Sequence, residues 1–187
     1  MKAGRMRFQD QVFLITGAGA GICRAAIGII AAEGGKIAAF DRDAAAVAGT
    51  IAMVREAGSE GLEIAGDALS EADAARAVAA TLEKFGRIDV LINGVGGSTI
   101  VKNGSALLEE FSLEEWEGLI DNPGLTMTGR IVKVFGPQSE EVHAERLSRI
   151  PLGRYSLPED QAKVVCFLAS SDADFITGIA IDVTGGQ

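Results

Sequence analysis

The sequence predicts an α/β fold in which a doubly wound parallel sheet carries helices on both faces. Two observations lead to this prediction. Strand-like and helix-like segments alternate along the first two thirds of the chain, and a glycine-rich turn joins the first strand to the first helix. Such alternation is typical of parallel sheets with right-handed crossovers. With 187 residues, of which 48% are hydrophobic, residues 1–187 are expected to form a single domain with a sizeable core.

The first half of the chain divides into four strands and three helices. A short apolar run predicts the first strand, and apolar residues at helical spacing predict the first helix. The second helix is rich in alanine, the strongest helix former, and the third begins after Ser70, a favourable N-cap residue. The predicted strands are 12–16, 36–41, 62–65 and 89–93, and the predicted helices are 21–33, 44–57 and 71–85.

The second half departs from this regular alternation. A polar loop covers residues 96–104, and a short helical pattern follows over residues 112–121. The tripeptide Asn-Pro-Gly at 122–124 then interrupts the chain. The next clear elements are a helix over residues 158–170 and a strand over residues 178–183.

The turn after the first strand has the composition of a phosphate-binding loop. Gly17, Gly19 and Gly21 follow Thr16, and Ile22 lies in the first turn of the predicted helix. The first-turn N–H groups of a helix are unpaired, the helix dipole is positive there, and glycines allow close approach of the backbone. We therefore expect this turn to bind the pyrophosphate of a dinucleotide, although a plain glycine turn is the alternative for this segment taken alone.

An acidic residue ends the second strand about 20 residues after the turn. Asp41 at this position would accept a hydrogen bond from a ribose 2′-hydroxyl and repel a 2′-phosphate. A helix-capping role for Asp41 is the alternative. The neighbouring Arg42 would offset part of the repulsion. The expected cofactor is therefore NAD, with NADP less favoured.

These features resemble the short-chain dehydrogenase/reductase family, which implies a Rossmann-like fold. In the family pattern Thr-Gly-x-x-x-Gly-x-Gly, Thr16, Gly17 and Gly21 match, and Cys23 replaces the last glycine. The C-terminal part resembles the family signature in the same order. Its matching segments begin at Pro151, Pro158, Phe167, Phe175 and Val183.

The resemblance implies further contacts to the cofactor. Asp67, followed by Ala68, matches the family's acid at the adenine ring. Asn93 and Gly94 begin the segment that matches the family's Asn-Asn-Ala-Gly after the fourth strand, where the asparagine would tie that strand to its neighbours. Thr128, after the Pro-Gly turn, matches the threonine that bonds the nicotinamide carboxamide.

The two matching halves do not join as they do in the family. Between the positions of Asp121 and Asn122, the family has a fifth strand with a serine, the Tyr-x-x-x-Lys helix and a sixth strand, a block that needs roughly 30 residues or more. The resemblance therefore implies that the chain lacks these strands and the residues that exchange a proton with the substrate. Tyr155, the only tyrosine, has Glu159 where the lysine would be needed. No catalytic residue is assigned.

The remaining reactive side chains are expected to be structural. His143, the only histidine, lies in a polar stretch that is typical of a solvated helix face. Cys23 and Cys166 lack metal-ligand spacing, and Cys166 is expected to be an inert core thiol. No metal site is predicted.

The charge and the cysteine content limit the possible partners and compartments. A formal net charge of −9 opposes binding to nucleic acid or to anionic membrane surfaces. No stretch approaches the roughly 20 apolar residues of a membrane span. Two distant cysteines favour a soluble protein of the reducing cytoplasm.

Two functions remain open on the sequence. The first is an NAD-dependent oxidoreductase that interconverts a secondary alcohol and a ketone of a small-molecule substrate, in a chain that is catalytically incomplete. The second is a non-catalytic dinucleotide-binding protein that serves as a sensor or subunit partner. The resemblance also implies a homo-oligomer. Without the missing strands, we expect the C-terminal strand to pair with strand four, in the order 3-2-1-4 followed by the C-terminal strand.

Overall fold

Strands and helices alternate from residue 12 to residue 92 in the computed structural model, which describes residues 6–95, 128, 140–148 and 150–186. The predicted helix over 112–121 and the Asn-Pro-Gly turn lie outside these residues. The described elements are β1 (Val12–Thr16), α1 (Gly21–Ala32), β2 (Lys36–Asp41), α2 (Ala44–Glu56), β3 (Gly61–Ala65), α3 (Glu71–Phe85), β4 (Val90–Ile92), α4 (Glu140–Ser148), α5 (Pro158–Leu168) and a 3₁₀ helix (Ser171–Ala173).

The four strands form one parallel sheet in the order β3-β2-β1-β4, which confirms the order predicted for them. Ile15 of β1 lies opposite Ile92 of β4, and Asp41 of β2 lies opposite Ala65 of β3. Because all four strands are parallel, their carboxyl ends lie together at the same end of the sheet.

Both faces of the sheet are covered, which explains why β1 and β2 are almost continuously apolar. The larger core lies between one face of the sheet and α1, α2 and α5, and the smaller core lies between the other face and α3. Strand residues of the larger core are Phe13, Ile15, Ile37 and Ala39, and those of the smaller core are Leu14, Ala38, Phe40 and Ile64.

Side-chain caps and a left-handed glycine set the helix ends. The Ser70 hydroxyl accepts a hydrogen bond from the Asp73 N–H at 3.3 Å, which confirms the predicted N-cap of α3. Gly86 ends the same helix with a φ of 78°. The other predicted bounds of elements that form agree with the structure to within two residues. None of the helices in the described ranges has both the length and the apolar character needed to cross a bilayer.

The C-terminal strand predicted over residues 178–183 does not form, so its predicted pairing with β4 is wrong. Within the described ranges, β4 pairs with β1 alone. The C-terminal segment is instead held on the α5 side of the molecule. The Gln161 side chain of α5 donates to the Val183 carbonyl at 2.8 Å, and the Leu152 N–H donates to the Gly185 carbonyl at 3.2 Å. These bonds to α5 and to the segment before it draw the chain away from the sheet edge.

An ion pair fixes the first turn of α5. The Asp160 carboxylate accepts hydrogen bonds from the Arg154 guanidinium at 2.6 and 3.0 Å and from the Leu157 N–H at 2.9 Å. The bonds from Arg154, and then the bond from Leu157, lower the pKa of Asp160 to about 2. The charged carboxylate therefore stabilises this end of the helix.

Replacing Asp160 by Asn should lower the free energy of unfolding at neutral pH by about 1 kcal/mol, because the variant loses charge-assisted hydrogen bonds at a helix start. The folded pKa lies below the ordinary value of 3.8, so this stabilisation is present above pH 4 and is lost as the pH falls towards 2. Urea unfolding of both proteins between neutral pH and pH 2 should show that the difference between their free energies of unfolding becomes smaller as the pH falls. Glu159→Gln, an exposed change in the same turn, is the control, and a difference that is independent of pH would contradict the prediction.

Candidate functional site

The residues predicted to bind a cofactor gather at the carboxyl ends of the strands. Gly17 follows β1, Asp41 ends β2, Asp67 follows β3 and Asn93 follows β4. In open parallel sheets, ligands bind outside these ends, at the point where the strand order reverses. Here the order reverses between β1 and β4, so the glycine turn and Asn93 flank that point.

The glycine turn leaves no room for a side chain at Gly17 or Gly19. Gly17 has a φ of 67°, and a Cβ on it would lie 2.6 Å from the carbonyl oxygen of Gly94. A Cβ on Gly19 would lie 2.7 Å from the Cβ of Ala46 on α2. The turn is therefore pressed between the segment after β4 and α2, and its bare backbone faces the strand ends.

Asp41 holds this turn through its carboxylate. One oxygen accepts the Gly19 N–H at 3.0 Å, and the other accepts the Asp43 N–H at 3.1 Å. The capping role that the sequence left open for Asp41 belongs to Asp43, whose side chain accepts the Ala46 N–H at the start of α2. Arg42 lies exposed between these two acids.

The N-terminus of α1 is suited to an anion. Its N-cap residue is Ala20, which has no side-chain acceptor, and the first turn contains no acidic residue. Ile22 lies half-buried in this turn. A Cβ on Gly21 would lie 3.4 Å from the Cγ2 of Thr128, so the structure places Thr128 beside the glycine turn. The first-turn N–H groups thus remain for an anionic ligand.

The other two predicted positions flank this centre. Asp67 is exposed, and its carboxylate accepts the Leu69 N–H at 3.0 Å, while Ala68 is half-buried. On the opposite side, Asn93 and Gly94 are exposed after β4. A cavity of about 380 Å³ on the α3 side of the sheet is lined in part by Ala68 and Asn93.

A hydrogen bond beyond the strand ladder joins the segment after β4 to β1, and its acceptor, Thr16, is not among the predicted site residues. The Gly94 N–H donates to the Thr16 hydroxyl at 3.1 Å. Thr16 matched the first position of the family pattern, and this match was the signal that pointed to it. The role of Asn93 in tying the fourth strand to its neighbours stays a prediction.

Cys166 is buried and His143 is exposed, as expected, and Cys23 is buried as well. Burial, and then the charge of Asp41, raises the pKa of Cys23 to about 11, and burial raises the pKa of Cys166 to about 11. Both thiols are therefore protonated at neutral pH and are poor nucleophiles. His143 is exposed on α4, and its ring meets that of Tyr155 with 5.2 Å between centroids.

Comparison of the sequence with known proteins gives two family matches. The model described as short chain dehydrogenase matches residues 11–130, and the model described as enoyl-(acyl carrier protein) reductase matches residues 122–187. An uncharacterised oxidoreductase of Thermotoga maritima is 28% identical over 250 residues, covering 97% of this chain and 99% of that protein. The 3-oxoacyl-[acyl-carrier-protein] reductase FabG of the same organism is 28% identical over 253 residues, with the same coverage of both chains.

Similar folds occur among solved structures. A 7α-hydroxysteroid dehydrogenase complexed with NADH and 7-oxo-glycochenodeoxycholic acid has a TM-score of 0.82 at 19% identity, covering 97% of this chain and 96% of that one. The 3-ketoacyl-(acyl-carrier-protein) reductase of Brucella melitensis, complexed with NADH, has a TM-score of 0.73 at 24% identity, covering 95% and 98%. These likenesses confirm the Rossmann-like fold.

Exchanging two glycines for alanine should have opposite effects on stability. Gly17→Ala should lower the melting temperature, because the new Cβ meets the Gly94 carbonyl and φ is positive. Gly49→Ala on the exposed side of α2 meets nothing within 4 Å and should raise the stability by about 0.5–1 kcal/mol. Thermal unfolding without added ligand measures both changes, and a tolerated Gly17→Ala would contradict the geometry of the turn.

The match to the dehydrogenase model covers more than half of the chain and includes every predicted site residue. An alignment of 250 positions is longer than this 187-residue chain, so a block of the Thermotoga relative has no counterpart here. The chain therefore belongs to the short-chain dehydrogenase/reductase family, as a member shortened within its sequence.

Proposed function

We propose that the protein binds NAD in preference to NADP at the strand ends. The observation that carries this proposal is the Asp41 carboxylate, which lies at the end of β2 and 3.0 Å from the Gly19 N–H of the glycine turn. A carboxylate in this position accepts a hydrogen bond from a ribose 2′-hydroxyl and repels a 2′-phosphate. Arg42 is exposed beside Asp41, and its positive charge would offset part of this repulsion. The Asp41 carboxylate would still be present to accept the ribose hydroxyl.

The surrounding residues fit the other parts of a dinucleotide. The pyrophosphate would lie at the uncapped start of α1, where the N–H groups of Gly21 and Ile22 would face it and the bare backbone at Gly17 and Gly19 would allow its close approach. The adenine ring would lie against Asp67 and Ala68, next to the cavity on the α3 side. Bound NAD would supply the hydride-transfer chemistry.

The nicotinamide end would lie between α1 and the segment after β4. Thr128 stands beside Gly21, where its side chain would bond the carboxamide. Asn93 and Gly94, which follow β4, would form the opposite wall of this part of the site. The NADH complexes of the steroid dehydrogenase and the Brucella reductase support a nicotinamide cofactor for this fold.

For the reaction, we propose the chemistry of the family in an incomplete form: hydride exchange between NAD and a secondary alcohol or ketone of a small molecule. The sequence has one tyrosine, and Glu159 follows it where a lysine would be required. Tyr155 contacts His143, and a block of the relatives has no counterpart in this chain. We therefore assign no catalytic residue to the 187-residue chain.

A non-catalytic dinucleotide-binding role, as a sensor or subunit partner, is the second candidate. The observation that favours it is the retention of Gly17, Gly21, Asp41 and Asp67 in a coherent site without the catalytic tyrosine. Under either function, we propose a homo-oligomer in the cytoplasm. Size-exclusion chromatography with light scattering tests the oligomer, because a monomer at all concentrations would contradict it.

The cofactor preference can be tested by titrating the protein with NADH and NADPH and following their fluorescence. NADH should bind at least about tenfold more tightly than NADPH, and Asp41→Asn should reduce this ratio about fivefold or more, because the neutral amide no longer repels the 2′-phosphate. Glu56→Gln, an exposed carboxylate at the far end of α2, is the matched control and should leave the ratio unchanged. Equal affinities in the unaltered protein would overturn the preference for NAD.

A chain whose intact mass is verified at 19.4 kDa should show no saturable oxidation of NADH with ketone substrates, because the groups that exchange the substrate proton are absent. Absorbance at the NADH band measures this directly. Saturable turnover by the verified chain would show that other residues perform the chemistry. Binding of NADH without turnover would favour the non-catalytic role.

A further inference from the structure

We propose that Cys23 and Gly94 form a matched pair, in which the Cys23 side chain fills the space that a residue 94 side chain would need. Through this contact, Cys23 acts as a positioning residue that holds the segment after β4 against the glycine turn. The part of this inference that concerns cofactor affinity rests on the proposed dinucleotide site.

The first observation is a direct overlap of volumes. A Cβ on Gly94 would lie 1.9 Å from the Cys23 Sγ, well inside the van der Waals contact distance of about 3.5–4 Å. The Cys23 side chain is 7% exposed. The sulfur therefore occupies nearly the same point as the missing side chain.

The second observation is that the backbone does not require glycine at this position. Gly17 has a φ of 67° in the left-handed region, whereas Gly94 has no such positive φ. An L-residue could adopt the Gly94 backbone conformation. A Cβ there would also come within 2.9 Å of the Thr16 carbonyl oxygen, so the backbone would have to shift slightly to accept it. The nearer obstacle to a side chain is the Cys23 sulfur, at 1.9 Å.

The third observation is the position of the Gly94 peptide between three parts of the site. Its N–H donates to the Thr16 hydroxyl at 3.1 Å, and its carbonyl oxygen fills the space where Gly17 would carry a Cβ. The Cys23 sulfur closes the third side. The neutral, buried thiol behaves here as a small apolar group, and the contact joins the first turn of α1 to the end of β4.

The two positions are also those at which the sequence departs from the family patterns. Cys23 stands where the glycine-turn pattern has its last glycine, and Gly94 stands where the pattern after the fourth strand has an asparagine. Relative to these patterns, the glycine stands in the segment after β4 and the side chain stands in α1. The contact in the structure links these two departures.

A double-mutant cycle tests the pair. Gly94→Ala should lower the melting temperature and weaken NADH binding by roughly tenfold, because the new Cβ displaces the segment. Cys23→Ala should weaken NADH binding by about two- to threefold, less than Gly94→Ala does, because it leaves a space beside Gly94 into which the segment after β4 can move. In the double variant, the new Cβ at position 94 would lie 3.5 Å from the Cys23 Cβ, an ordinary contact, and 2.9 Å from the Thr16 carbonyl oxygen. Removing the sulfur should therefore restore most of the stability and NADH affinity that Gly94→Ala loses, and the contact with Thr16 should limit the recovery.

Cys166→Ala combined with Gly94→Ala is the matched control, because Cys166 is the other buried cysteine and its Sγ lies 3.8 Å from the Ala26 carbonyl. This control should not rescue Gly94→Ala. NADH binding is measured at a temperature at which every variant is folded, so that a change in affinity reports the site. If Gly94→Ala alone does not fold, a folded double variant that binds NADH is the same rescue.

The proposed pairing is contradicted if Gly94→Ala alone leaves the melting temperature unchanged, or if the double variant melts as low as Gly94→Ala. It is also contradicted if Cys166→Ala restores the melting temperature of Gly94→Ala equally well. Rescue of the melting temperature without rescue of NADH affinity overturns the positioning role. The melting cycle requires no cofactor. If Cys23→Ala restores the melting temperature of Gly94→Ala in a protein that binds no NADH, the packing contact is supported. Only the proposed cofactor function is then overturned.

Discussion

The hydrogen bond from the Gly19 N–H to the Asp41 carboxylate is the interaction on which the site depends. Asp41 also accepts the Asp43 N–H, and its carbonyl oxygen accepts the Gly66 N–H at 3.0 Å. One residue thus joins the turn after β1, the start of α2 and the segment after β3. The position of this carboxylate is fixed by backbone groups, so the acid expected to select the ribose also assembles the site around it.

The Gly94 peptide has the corresponding role on the other side of the glycine turn. It contacts Thr16 through its N–H, Gly17 through its carbonyl oxygen and Cys23 through its bare Cα. The turn is therefore held from β2 by Asp41 and from β4 by Gly94. These contacts involve residues 12–94 alone, which explains how the cofactor half of the fold can be formed in a chain that lacks a block of its relatives.

The two faces of the sheet differ in what covers them. On one face, α5 packs with α1 through the buried Ala162 and Cys166, and its Gln161 holds the C-terminal segment. On the other face, among the described elements, α3 covers the smaller core, and Leu91 of β4 is 55% exposed beside the cavity. The larger core therefore retains α5 even though, among the described residues, no strand of the sheet follows this helix.

The sequence by itself determined the alternation of elements through β4, the order of these strands and the residues at their ends. These features follow from local apolar patterns, caps and the glycine turn, together with the general handedness of parallel crossovers. The tertiary structure decided the rest. Residues 178–183 have an apolar pattern suited to a strand, but a strand requires a partner edge, and the hydrogen bond from Gln161 of α5 to the Val183 carbonyl holds the segment elsewhere. The contact of Cys23 with Gly94 likewise depends on how closely α1 approaches β4, a distance that no local pattern encodes.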